Sequence, residues 1–267
     1  MKSIKLIPLA AAFVLFSCNK DDGDTDTPGT EPIPNDEVKA VFSVEPSSNK
    51  EAFVGIISRT NCGACGQHGH PNFDDVVHDQ EDANPVAFHY STSDDMYHED
   101  AAKFVNFVGI RFTPTFTSGT ANLGNVKGDL EGAVMLDLTS TPEAKIAMNG
   151  ELKGEKAFDI TIELSEITST ESMQLALYVI ENNYITGQSD YGANPTWVDD
   201  YVHNYVFRSA PSGIWGKAIT MADPMANYSF DLAHGINPDN VQFVAVLYAV
   251  DGSGEPTGVI NSQRLTR

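Results

Sequence analysis

The chain is poor in cysteine, in basic residues and in long apolar runs. Its 267 residues include three cysteines, and only Cys62 and Cys65 stand at ligand-like spacing, which excludes a zinc module built from two Cys-x-x-Cys pairs. Lys and Arg number 16 against 37 Asp and Glu, for a formal charge of -21. Such a chain repels a polyanion, so nucleic acid is set aside as a partner. The N-terminal apolar run, residues 6–16, is interrupted by Pro8 and too short to span a bilayer as a helix. The acidic pairs Asp94-Asp95 and Asp199-Asp200 lack the alternating oxygen ligands of a calcium loop and read as turns or solvated faces. Past residue 140 no long helical pattern is found.

What is present at the N-terminus is an export pattern. Met1-Lys2-Ser3-Ile4-Lys5 is basic, the apolar run follows, and Leu15-Phe16-Ser17-Cys18 resembles a bacterial lipoprotein box. The expectation is a signal peptide over residues 1–17 and lipidation of Cys18, with multiple acyl chains holding the protein at a membrane. Residues 18–36 are rich in Asp, Thr, Pro and Gly and cannot offset their ordering entropy by burial, so they are expected to form a flexible acidic tether. Asn19-Lys20-Asp21-Asp22 also resembles the surface-export signal of Bacteroidota lipoproteins.

Residues 37–140 read as an α/β domain. Residues 51–57 form a strand apolar on both faces, hence central. Asn61-Cys62-Gly63-Ala64-Cys65-Gly66 follows, with Cys62 near a helix start, where orphan N–H groups favour a thiolate. That helix is expected to run toward Val77, with Pro71 kinking or stopping its first segment. Residues 84–90 give a second, parallel strand and residues 100–108 a helix covering a sheet face. A Cys-x-x-Cys pair in this setting points to thioredoxin-like chemistry, in which Cys62 is the nucleophile and Cys65 resolves the mixed disulfide. Thioredoxin-like proteins place a cis proline beside the pair, and Thr113-Pro114-Thr115 stands where that proline belongs, so Pro114 joins the candidate site.

His68, His70, His78, His89 and His98, with Met96, lie near the cysteines in sequence. Cys62, Cys65, His68 and His70 make an alternative copper-type ligand set; the plainer reading leaves the histidines as polar residues of a helix and loops, with His89 hydrogen-bonded inside its strand, and requires no metal or cofactor. Residues 141–267 alternate with period two in several segments, among them 143–148, 157–164, 173–180 and 201–208, and 241–250 reads as a long apolar strand. Asn149-Gly150 reads as a turn and residues 184–200 as a long irregular insertion. Trp197, Tyr201, Tyr205 and Trp215 form either a ligand platform or core packing. The fold class is therefore an α/β thioredoxin-like domain followed by an all-β immunoglobulin-like sandwich.

The lipoprotein start, Cys62-Gly63-Ala64-Cys65 followed by Gly69-His70, and Val202-His203-Asn204-Tyr205-Val206-Phe207-Arg208 together resemble the outer-membrane lipoproteins of about 28 kilodaltons found in Bacteroidota. Members typically carry an aromatic before the first cysteine, where this chain has Ser58-Arg59-Thr60-Asn61. The resemblance implies a lipid anchor in the outer membrane, on its periplasmic or cell-surface face. The expected function is thiol–disulfide exchange on extracytoplasmic proteins or peptides. The alternatives are a cell-surface binding or adhesin-like lipoprotein with a structural disulfide, and a copper-binding thioredoxin-like protein.

Overall fold

Seven consecutive buried residues make β2, Ala52–Ser58, the axis of the molecule. A strand without a polar face needs cover on both sides and neighbours at both edges. β3, Ala83–His89, is likewise buried throughout and lies parallel to it. The computed structural model describes residues 37–267; the expected signal peptide, the expected lipidation site Cys18 and the expected acidic tether lie outside them.

Between the two strands runs a helical segment whose start is a π-turn, Cys65–Gly69, continuing into α1, His70–Asp79. Pro71 is the second residue of α1, so the first helical segment, the π-turn, ends beside it as expected while the chain stays helical. α2, Glu99–Val108, follows, with the His98 ring accepting from the Asp100 N–H and Gly109 closing it in the left-handed region at φ 68°. β4, Thr115–Ser118, pairs antiparallel with β2, and β5, Ala121–Gly124, pairs with β4. α3, Lys127–Leu138, completes the α/β region. The strand order β3-β2-β4-β5 with these helices is the thioredoxin-like arrangement.

The remaining strands are β6, Lys145–Lys153, β7, Ala157–Ser165, β8, Ser172–Glu181, β9, Tyr184–Ser189, β10, Trp197–His203, β11, Val206–Ser209, β12, Lys217–Ile219, β13, Met225–Asp231, β14, Val241–Val250, and β15, Pro256–Thr266. β1, Val38–Val44, leaves the α/β region to which its position assigned it and pairs with β6, giving the four-stranded sheet β1-β6-β7-β13. β11 pairs with both β3 and β8, so the thioredoxin-like sheet continues through β11, β8, β14 and β15. The sheet thus crosses the expected division after residue 140.

This continuity explains why β8 and β14 are apolar on both faces. Phe243, Ala245, Leu247 and Ala249 face the four-stranded sheet together with Leu175, Leu177 and Val179. Val244, Val246 and Tyr248 point the other way, into a cluster with Phe53, Phe88, Phe104 and Tyr178 that lies under α2. A third cluster fills the space beneath α1 and α3 around Val54, Ile56, Phe73 and Leu130. Asn149-Gly150 is no turn: β6 runs through both residues, and Gly150 is required because the Phe42 ring lies where a β-carbon would be.

Glu51 enters β2 at the end remote from the cysteines. Asn84 Nδ2 donates to its Oε2 at 3.0 Å, yet burial pushes its pKa from 4.5 up to about 7. The folded chain therefore holds this proton where the unfolded chain has released it, and stability falls as pH rises from about 4.5 through about 7. Glu51→Gln is expected to unfold at higher urea than the parent at pH 8, by about 2–3 kcal/mol, with the advantage shrinking toward pH 4. An advantage that does not change with pH would refute the titration of Glu51.

Candidate active site around the cysteine pair

Cys62 and Cys65 form a disulfide with their Cα atoms 5.2 Å apart, at the C-terminal end of β2. The loop from Arg59 brings Cys62 round, its N–H donating to the Arg59 carbonyl at 3.2 Å. The Cys65 N–H then points at Cys62 Sγ from 3.1 Å. That contact is the kind that stabilises a sulfur anion at a helix start. The residues differ in access: Cys62 is 8% exposed and Cys65 0%. The Thr113–Pro114 bond is cis, and the Thr113 carbonyl oxygen lies 3.5 Å from Cys62 Sγ. Pro114 packs on Gly69, where a β-carbon would come within 2.8 Å of its ring. The close Cys–Cys pair, the cis proline and the thioredoxin-like fold are together consistent with a redox-active site.

The segment 184–200, read as an irregular insertion, is instead most of the antiparallel hairpin formed by β9 and β10. It docks against the cysteine loop. The Ser189 N–H donates to the Thr60 carbonyl at 2.7 Å, and the Tyr191 N–H to the Gly63 carbonyl at 3.1 Å. Gln188, fully buried, donates to the Cys62 carbonyl at 3.0 Å. The Tyr191 ring occupies the space a β-carbon on Gly63 would need, and the Ser189 carbonyl oxygen stands 2.5 Å from where a β-carbon on Gly66 would be. The glycines beside the cysteines thus admit this chain's own hairpin. Alternation in Tyr184-Ile185-Thr186 and Tyr201-Val202-His203 was the available signal, weakened by Gly187, which the Trp197 ring covers.

The histidines sort differently from their order in sequence. His68 and His78 are exposed, and His98 caps α2. The disulfide occupies both sulfurs of the Cys62, Cys65, His68, His70 set. His70 and His89 instead meet His203, far along the chain, in a fully interior cluster. His89 Nδ1 lies 3.2 Å from Asp94 Oδ2, and Asp94 also accepts from the N–H and hydroxyl of Thr60 at 3.1 and 2.6 Å. Burial opposes ionisation of Asp94, but the hydrogen bonds from His89 and Thr60 outweigh it and hold its pKa below the usual value. Burial drives His70 well below 6.5, helped by His89 and His203, and drives His203 to about 3.

The four aromatics do not form one platform. Trp215 packs under α2 against Phe104, Phe107 and Tyr248, Tyr205 meets Phe73, and Trp197 covers Gly187. Only Tyr201 belongs to the site, its ring against His70 and His203. No described helix is long and apolar enough to cross a membrane.

Comparison with known proteins places this arrangement. Two solved structures share the fold over most of the chain. HBP35 of Porphyromonas gingivalis superposes with a TM-score of 0.64 and 18% identity, covering 82% of this chain and 76% of that one. Protein AGR_C_4864 from Agrobacterium tumefaciens gives a TM-score of 0.53 and 10% identity over 82% and 96%. Identities this low speak to fold alone. No curated protein matches the chain. The profile of the outer membrane protein family Omp28 matches residues 120–266, more than half of the chain, covering α3 and every strand from β6 to β15. The chain therefore belongs to the Omp28 family of outer membrane proteins.

Proposed function

We propose that the chain is a thiol–disulfide exchange protein of the cell envelope, held at the outer membrane by acyl chains on Cys18 and acting on extracytoplasmic proteins or peptides. The observation that carries this reading is the asymmetry of the pair: Cys62 keeps a small exposed area, 8%, beside the Thr113 carbonyl and cis Pro114, while Cys65 has none. In the reducing direction the Cys62 thiolate attacks a substrate disulfide, forming a Cys62–substrate disulfide and expelling one substrate thiolate. The Cys65 thiolate then attacks Cys62 Sγ, closing the internal disulfide and releasing the second substrate thiolate. Two electrons pass from the chain to the substrate, and oxidation is the reverse. An extended substrate segment meets the exposed backbone at Thr113, as peptides do at strand edges.

Equilibration of the chain in glutathione redox buffers tests the reading. The pair is expected to titrate between about −120 and −270 mV, the span of exchange proteins. A potential below about −300 mV, where structural disulfides lie, would instead support a binding lipoprotein with a structural bridge. The observation favouring that second reading is the β9–β10 hairpin, which covers the Gly63 and Gly66 side of the loop.

A further inference from the structure

The interior histidines suggest a second site, independent of the thiol chemistry. His70, His89 and His203 come from the start of α1, the end of β3 and the end of β10, and each offers a nitrogen within 4.8 Å of the other two. The His203 ring stands nearly perpendicular to both partners, 5.4 Å from His70 and 5.5 Å from His89 between centroids. We propose that these three imidazoles bind one d10 transition-metal cation, Cu(I) or Zn(II).

Buried polar atoms are normally hydrogen-bonded. Here His89 Nε2 and both nitrogens of His203 lack a hydrogen bond of normal geometry, in rings that are 0% exposed. The Thr186 backbone approaches His203 without making a hydrogen bond of normal geometry to either nitrogen. Three unsatisfied nitrogens on these two crossed rings have no role in an apolar core, and a cation shared with His70 satisfies the inward-facing ones. The outer groups are those of a metal site. Asp94 sits 3.2 Å from His89 Nδ1, which leaves Nε2 to face the cluster, and Ser58 Oγ lies 2.9 Å from His70 Nε2. A carboxylate behind a ligating histidine fixes its ring and raises its basicity. Three nitrogens about 2.0–2.1 Å from one ion stand about 3.5 Å apart, so binding draws the rings inward by at most about 1.3 Å.

Charge discriminates between the two ions. Among the described residues Asp94 is the one carboxylate hydrogen-bonded to the cluster, and its single negative charge balances Cu(I). Zn(II) leaves a positive charge in the interior and calls for a fourth ligand, a water or hydroxide beside the rings. The three imidazoles accept either cation, as imidazole generally does.

The test uses the chain with its disulfide closed, so that neither thiolate binds metal. It is incubated separately with Zn(II) and, without oxygen, with Cu(I), then desalted and assayed for metal. The expected result is about one equivalent of at least one of the two ions per chain, with light-atom (nitrogen or oxygen) scattering and no sulfur at the metal absorption edge; which ion is retained separates the two assignments. His203→Phe and His89→Phe should each lose that equivalent. Because His203 makes no normal hydrogen bond, the metal-free His203→Phe chain should melt at or above the metal-free parent, while added metal raises the melting temperature of the parent alone. Should His203→Phe fail to fold, His89→Asn gives the same comparison. Less than about a tenth of an equivalent of both ions in the parent, or equal retention by the variants, would overturn the proposal.

Discussion

The Cys62→Ser chain is expected to exchange disulfides no faster than buffer, whereas Cys65→Ser is expected to attack once and accumulate as a mixed disulfide with its substrate. Both expectations come from the geometry of the pair. Cys62 has 8% of its surface exposed, and its sulfur faces the Thr113 carbonyl, the place proposed above for the substrate backbone. Cys65 has no exposed surface and is reached only by Cys62. Electrostatics point the same way, since the Cys65 N–H directed at Cys62 Sγ stabilises the Cys62 thiolate. After reduction, alkylation below neutral pH should therefore modify Cys62 well before Cys65, read by peptide mass analysis. Equal, slow labelling of both would remove Cys62 from the role of nucleophile. Exchange by Cys62→Ser at the parent rate would remove the enzyme reading altogether.

Gly216→Ala is expected to destabilise the fold by about 4 kcal/mol, a large effect for one methyl group. Gly216 adopts φ 83°, in the left-handed region, and a β-carbon there would overlap the backbone carbonyl of Leu175. Leu175 lies in β8, which is packed between two hydrophobic clusters, so its backbone cannot retreat. The left-handed conformation alone costs an alanine about 1–2 kcal/mol, and the overlap adds overpacking of about 1–3 kcal/mol. Gly213 separates the two effects. It has φ 81° but open space, with no atom within 4 Å of where a β-carbon would stand, so Gly213→Ala should cost only about 1 kcal/mol. Urea unfolding of both variants decides the matter: equal losses would show that the approach of β8 is not what requires glycine at Gly216.

The legible parts of the fold were those in which the chain's local pattern and its final environment agree. β2 and β3 read as buried parallel strands because an uninterrupted apolar run has few other solutions, and both are buried at every position. α2 was legible from Ala101, Phe104 and Val105, spaced to share one face. The π-turn before α1 was not, since Gly63, Gly66 and Gly69 lower helix propensity and only packing against the hairpin and Pro114 explains them. Gly150 misled because Asn-Gly is a strong turn signal, overridden here by the Phe42 ring and by pairing with β1 and β7. The β9–β10 hairpin is not legible from its own residues because its strands draw their order from the cysteine loop beneath them.

The sequence by itself determined the candidate redox pair, the proline beside it, the thioredoxin-like order of strands and helices, and an all-β second half. These are properties of short stretches, written in spacing and alternation. Only the tertiary structure decided that one sheet runs through both regions, that the hairpin seals one side of the cysteine loop, and that His203 joins His70 and His89. Each depends on bringing together residues far apart in the chain, and the free energy that selects those encounters comes from burial that no local pattern encodes.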